Sequence, residues 1–194
     1  MATKKPFLSD IKAIQKRARE QIRKGAITDG YKADRNEVIK MLNEALATEI
    51  VCVLRYKYHY FMASGINAQS VAAEFLAHAN EEQGHADQIA ARITQLEGTP
   101  NLSPEGLQTR SHSEYVEGED LVDMIKENLV AERIAIETYS EMVRYLGNDD
   151  PTTRRMMEEI LAVEEEHAED LSTMLAELGH KGKPAKPRPE KHRH

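Results

Sequence analysis

The sequence predicts an all-α fold, a four-helix bundle with one long crossover. Three observations carry that reading. Ala, Leu, Glu, Met and Ile together outweigh Val and Thr, and only three Phe and no Trp occur among 194 residues, a helical composition. Four long stretches repeat apolar residues at steps of three and four, the period of a helix face. Two of the links joining those stretches are short and one is long.

The length suits one domain with a substantial core. Cys52 is the only cysteine, so no intramolecular disulfide can form and a reducing cytoplasm is expected. MATKKPFLSD lacks the apolar run of a signal peptide, and no stretch has the ~18 consecutive apolar residues of a membrane helix. The net charge of −7 is unevenly spread: residues 1–35 carry ten basic against four acidic side chains, residues 180–194 six against one, and the body between them −18. An acidic body attracts cations, and basic ends either bind something anionic or only solvate the chain.

In chain order, residues 7–24 read as a short basic helix with an apolar stripe of Leu8, Ile11, Ile14, Ala18 and Ile22, stopped by Gly25. With the connector to Ala33 it forms an N-terminal extension, 1–33. The bundle then spans 34–179. Its first helix, from Asp34 to about Ser64, turns Val38, Met41 or Leu42, Ala45, Glu49, Cys52, Tyr56 and His59 inward, with Asp34-x-x-Glu37 as a capping box. The second runs from Asn67 or Ser70 to Glu97, its stripe being Phe75, His78, Glu82, His85 and Ile89, with Gly98 and Pro100 closing it. The third, from Glu119 to Leu146, faces inward with Leu121, Ile125, Asn128, Glu132, Ala135, Tyr139 and Met142. Asp150-Pro151 opens the fourth, which carries Met157, Ile160, Glu164, His167, Leu171, Met174 and Leu178 on one face and reaches Gly179. Helices of this length span roughly 45 Å, and the link from Gly98 to Gly118 can reach roughly 70 Å, enough to run the length of the bundle. The basic, Pro-rich tail at 180–194 is expected to be disordered alone.

Each helix thus places a carboxylate where a core residue belongs, which is costly unless a partner compensates. The two hairpins repeat one another. Glu49 is followed at plus seven by Tyr56 and at plus thirty-three by Glu82-x-x-His85; Glu132 is followed at plus seven by Tyr139 and at plus thirty-two by Glu164-x-x-His167. This implies a pseudo-twofold bundle in which two lone carboxylates and two Glu-x-x-His pairs converge, the ligand pattern of di-iron and di-manganese carboxylate proteins. Four carboxylates are neutralised by two divalent cations, and oxygen-rich ligation with one imidazole per metal suits iron or manganese better than structural zinc.

The segments ALATEIVCVLRY around Glu49, EEQGHADQIAARITQLEGTPNL around Glu82 and His85, and AERIAIETY around Glu132 resemble the bacterioferritin branch of the ferritin-like superfamily. The resemblance covers 34–179. It implies a ferritin-like bundle and a ferroxidase centre of two Fe ions inside each subunit (Mn also fits), with Glu49, Glu82, His85, Glu132, Glu164 and His167 as catalytic metal ligands. By that analogy Glu82 and Glu164 bridge, while Glu49 and Glu132 are terminal. The substrates implied are Fe(II) with O2 or H2O2, oxidised within a homo-oligomeric cage that stores the product. Bacterioferritins carry a haem-ligating Met directly after the second-helix Glu; Gln83 stands there, so no haem is expected at that position. The basic N-terminal helix is more reminiscent of twelve-subunit Dps-like cages than of twenty-four-subunit ones, and twelve is the preferred expectation.

Several residues keep two readings. Tyr56 and Tyr139 are either core tyrosines or partners of ligand carboxylates, and His78 is either a satisfied core histidine or part of an accessory metal site. His59 belongs to packing or an interface, and Glu81, Glu165 and Glu166 either to the solvated surface or to an entry path for iron. The basic ends either solubilise the chain or hold DNA weakly through phosphate contacts. Other functions open to such a bundle are a manganese catalase or peroxidase-like enzyme and a DNA-associated protective shell.

Overall fold

Residues 10–66 and 68–181 are described in a computed structural model, the last three by backbone alone. The elements are α1 (Ile11–Glu20), α2 (Arg35–Met62), α3 (Ala68–Gln95), α4 (Leu107–Arg110), α5 (Leu121–Leu146) and α6 (Pro151–Lys181). The four long helices are the expected bundle: α2 packs along α3 and α5 along α6, while α2 also meets α5 and α3 meets α6. No helix among the described residues is long and apolar enough to cross a membrane.

Local chemistry sets the helix starts. Asp34 accepts from the amides of Asn36 and Glu37 to open α2, and Asp120 accepts from Asp123 to open α5. Asp150 caps α6 by accepting from Thr153 N at 2.9 Å, as the sequence suggests. The same carboxylate receives Arg92 Nη2 at 2.9 Å and the Tyr31 hydroxyl at 3.0 Å, so the start of α6 is tied to the end of α3 and to the connector before α2.

Three boundaries differ from the sequence reading, and Asn67, one of the two residues expected to open the second helix, lies outside the described residues. Of the predicted 7–24 helix, residues 7–9 lie outside the described residues, and α1 ends at Glu20 because Gln21 turns away to bond Asp29 at 2.9 Å. α1 buries none of its residues. At the end of α3 it is Glu97, not Gly98, that adopts the left-handed conformation (φ 62°). Gly98 N bonds Ile93 O at 2.9 Å and Glu97 N bonds Thr94 O at 3.0 Å, the paired bonds of a Schellman cap. Gly98 is needed for proximity instead: a Cβ there would lie 2.9 Å from Ile39. The fourth helix passes its expected end at Gly179 and runs to Lys181, so the 180–194 tail, expected to be disordered, opens as helix, and residues 182–194 lie outside the described residues.

The crossover from Gly98 to Gly118 carries the short α4 and is pinned along α2. Asn43 Oδ1 accepts from Asn101 N at 2.7 Å and Thr48 Oγ1 accepts from His112 N at 3.0 Å. Arg55 Nη1 donates to Glu114 O at 2.8 Å, and His59 Nε2 lies 3.1 and 3.0 Å from the carbonyls of Val116 and Glu117. His59 therefore packs within the subunit, against the crossover.

The apolar core falls into two clusters. One contains Leu42, Leu46, Ile89, Tyr139, Met157 and Ile160; the other contains Cys52, Tyr56, Phe75, Ile125 and Leu171. In sequence, the buried Glu49, Glu82, Glu132 and Glu164 fall between members of the two on every long helix. A polar layer thus divides the core.

Candidate metal centre

Glu49 (α2), Glu82 and His85 (α3), Glu132 (α5), and Glu164 and His167 (α6) meet in that layer, and none is more than 6 % exposed. The i, i+3 spacing on α3 and α6 puts each Glu and His on one face, while α2 and α5 each add one carboxylate from opposite sides. Two overlapping groups result: Glu49, Glu82, His85 and Glu164, and Glu82, Glu132, Glu164 and His167, each with ligand atoms within 4.8 Å of one another. Glu82 and Glu164 belong to both.

Both imidazoles present Nδ1 to the carboxylates. His85 Nδ1 is 3.1 Å from Glu164 Oε1 and 3.3 Å from Glu49 Oε2; His167 Nδ1 is 3.4 Å from Glu82 Oε1 and 3.5 Å from Glu164 Oε2. The other nitrogen of His167, Nε2, meets Glu81 Oε2 at 2.7 Å, which fixes the ring. Glu81 is therefore more than a solvated charge. Off the apolar stripe and beside Glu82, it carries no sequence signal for this role.

The tyrosines cross between the hairpins. Tyr56 on α2 donates its hydroxyl to Glu132 Oε1 on α5, and Tyr139 on α5 donates to Glu49 Oε1 on α2. In both carboxylates the second oxygen, Oε2, is buried without a hydrogen-bond partner. The same holds for Glu82 Oε1, both oxygens of Glu164, and Nδ1 of His85 and His167. Buried polar atoms are rarely orphaned, so such a concentration marks a place for a cation. The donor set of carboxylate oxygens and imidazole fits iron or manganese.

The electrostatics agree. Burial, then the charges of Glu82 and Glu164, pushes the Glu49 and Glu132 carboxyls well above the usual range. Glu82 moves the other way: burial opposes its charge, but the nearby Glu49, His167 and His85 hold it below the ordinary carboxylate range. Burial also disfavours charge on His85 and His167, yet the surrounding carboxylates push them up to about 12 and about 11. Without metal the cluster is held together by protons.

Two buried arginines, unforeseen in the sequence, pair with other groups than the ligand carboxylates. Arg55 Nε donates to Asn128 Oδ1 at 2.9 Å, and Arg92 serves Asp150 and Thr153. His78 is 2 % exposed, stacks on His167 with ring centroids 3.9 Å apart, and lies 3.2 Å from the Tyr56 hydroxyl through Nδ1. Burial and the neighbouring His167 push it down to about 3, so it is neutral. Gln83 lies on the surface and donates to Asp87 at 3.0 Å.

Residues 39–179 match the family model described as a ferritin-like domain. A bacterioferritin of Brucella melitensis is 31% identical over 147 residues, covering 74% of this chain and 87% of that protein. Among solved structures, the bacterioferritin-related dodecameric thioferritin of Bacteroides fragilis is 34% identical with a TM-score of 0.75, over 77% of this chain and 90% of that one. Dps of Thermosynechococcus elongatus, 19% identical with a TM-score of 0.70 over 72% of this chain and 90% of its own, shares the fold. By the extent of the matched domain and the repeated carboxylate–histidine pattern within it, the chain belongs to the ferritin-like family.

Proposed function

We propose that this protein is a cytoplasmic ferroxidase that oxidises Fe(II) with O2 or H2O2 at a two-iron centre and retains the ferric product inside a homo-oligomeric cage. The observation carrying this reading is the pair of overlapping buried groups that share Glu82 and Glu164 and whose inward atoms lack hydrogen-bond partners. Sharing supports bridging roles for Glu82 and Glu164. Glu49 with His85, and Glu132 with His167, then each complete one end.

Two Fe(II) ions, held there as substrate, would supply one electron each to O2 or H2O2. The chain's part is to hold donors in place before metal arrives. Tyr139 and Tyr56 each occupy one oxygen of Glu49 and Glu132, leaving Oε2 of each for iron. Glu81 orients His167 through Nε2, so that Nδ1 stays on the carboxylate side. Protons held by His85, His167, Glu49 and Glu132 must leave as the cations enter. The cage reading is supported by the dodecameric Bacteroides relative, and twelve subunits remain the preferred number.

Mixing Fe(II) with the metal-free protein in air and following ferric absorbance tests the proposal. The wild type should oxidise iron at least about a hundredfold faster than a Glu82→Ala/Glu132→Ala variant, with the ferric product eluting in the assembly's volume on size exclusion. Equal rates for the two proteins would overturn it.

A further inference from the structure

A cavity of about 270 Å³ reaches His85 and His167 from the surface between α3 and α6, and its lining includes Glu74, His78 and Asp170. One ligand atom from each of these three lies within 4.8 Å of the others. His78 Nε2 is 3.5 Å from Glu74 Oε1 and 4.0 Å from Asp170 Oδ2. The imidazole is buried, whereas the two carboxylates are 42% and 48% exposed, so the group spans from core to solvent. No Lys or Arg lines the cavity, and Glu81 and Glu166 add further negative charge. Such a mouth concentrates cations.

We propose that Glu74, His78 and Asp170 form a further divalent-cation site at the mouth of this cavity, distinct from the paired centre. One imidazole between two carboxylates suits Fe(II), Mn(II), Co(II) or Zn(II). An ion about 2.1 Å from each donor fits a gap of 3.5 to 4.0 Å between them. The site is also wired inward. A cation on Nε2 leaves the ring proton on Nδ1, which then donates to the Tyr56 oxygen 3.2 Å away. The Tyr56 proton is thereby directed to Glu132 alone. Without the cation, the imidazole proton is free to take either nitrogen. Filling the outer site thus fixes the bond that holds one oxygen of Glu132, a coupling that rests on the ferroxidase reading although the site itself does not.

Anaerobic titration of the full-length, metal-free protein with Co(II), read by ligand-field absorption, tests this. A Glu74→Gln/Asp170→Asn variant, which keeps the buried His78 and the helix surfaces, should bind one equivalent per chain fewer than the parent. The Glu82→Ala/Glu132→Ala variant should lose the central equivalents and keep the outer one. An undiminished equivalence in Glu74→Gln/Asp170→Asn would overturn the outer site, whereas an undiminished equivalence in Glu82→Ala/Glu132→Ala would overturn the central one. Crystals of the parent soaked in Zn(II) should show anomalous density among Glu74, His78 and Asp170, and its absence there would likewise overturn the outer site.

Discussion

At the scale of the residue, the tyrosines carry the most specific constraint. Tyr139 gives its proton to one oxygen of Glu49 in a fully buried setting. Replacing it by Phe keeps the ring packing and removes the donor, leaving a buried carboxyl with one bond fewer. Tyr139→Phe should destabilise the metal-free protein by about 1–3 kcal/mol in urea denaturation. Loading with Mn(II) should recover part of that loss, because the metal then orients Glu49. A variant as stable as wild type without metal would show that the bond contributes nothing. The relation between Tyr139 and Glu49 was only half legible in the sequence. Spacing put both on inward stripes, but it could not say that each tyrosine reaches across to the opposite hairpin.

Among the elements, the hairpins were legible because their signals are periodic: Phe75 to Ile89 and Met157 to Leu171 keep helix spacing for several turns, and every ligand carboxylate sits on such a stripe. What escaped the sequence depends on contacts between distant segments. Arg55 stands off the inward stripe of α2, and it is buried because the crossover lies against it and Glu114 supplies a carbonyl. Glu81 gains its partner only when α6 brings His167 alongside α3. The end of α3 is of the same kind, since Gly98 looks like a helix stop but is fixed by Ile39. Gly98→Ala should cost about 1–3 kcal/mol through overpacking. An Ile39→Ala background should remove most of that cost, because the nearest atoms around the new methyl are Ile39's. Equal penalties in both backgrounds, measured as a double-mutant cycle, would instead place the cost in the backbone.

For the molecule as a whole, the centre makes stability depend on pH in an unusual direction. His85 and His167 are raised to about 12 and about 11 in the metal-free fold. Their stabilising contribution is fully present below the ordinary histidine value of about 6.5 and is lost as pH rises toward those folded values. Glu49 and Glu132, also raised, act with the same sign. Glu82, held low, stays ionised throughout this range and adds no slope. The metal-free protein should therefore lose stability between pH 7 and 9, by about 1.4 kcal/mol per pH unit for each proton the fold retains. The metal-loaded protein, whose ligands have already given up their protons, should be flat by comparison. Thermal melts of both forms across that range would show the gap widening, and parallel curves would contradict the charge assignment.

Each group of ligands takes three members from one hairpin and one from the other: Glu164 joins Glu49, Glu82 and His85, and Glu82 joins Glu132, Glu164 and His167. The tyrosines make the same reciprocal exchange. A single hairpin of this design would need only a second copy of itself to complete both groups. The two halves are thus interchangeable in what each gives the other, and the crossover is the tether that keeps them paired, stitched down along α2 by Asn43, Thr48, Arg55 and His59.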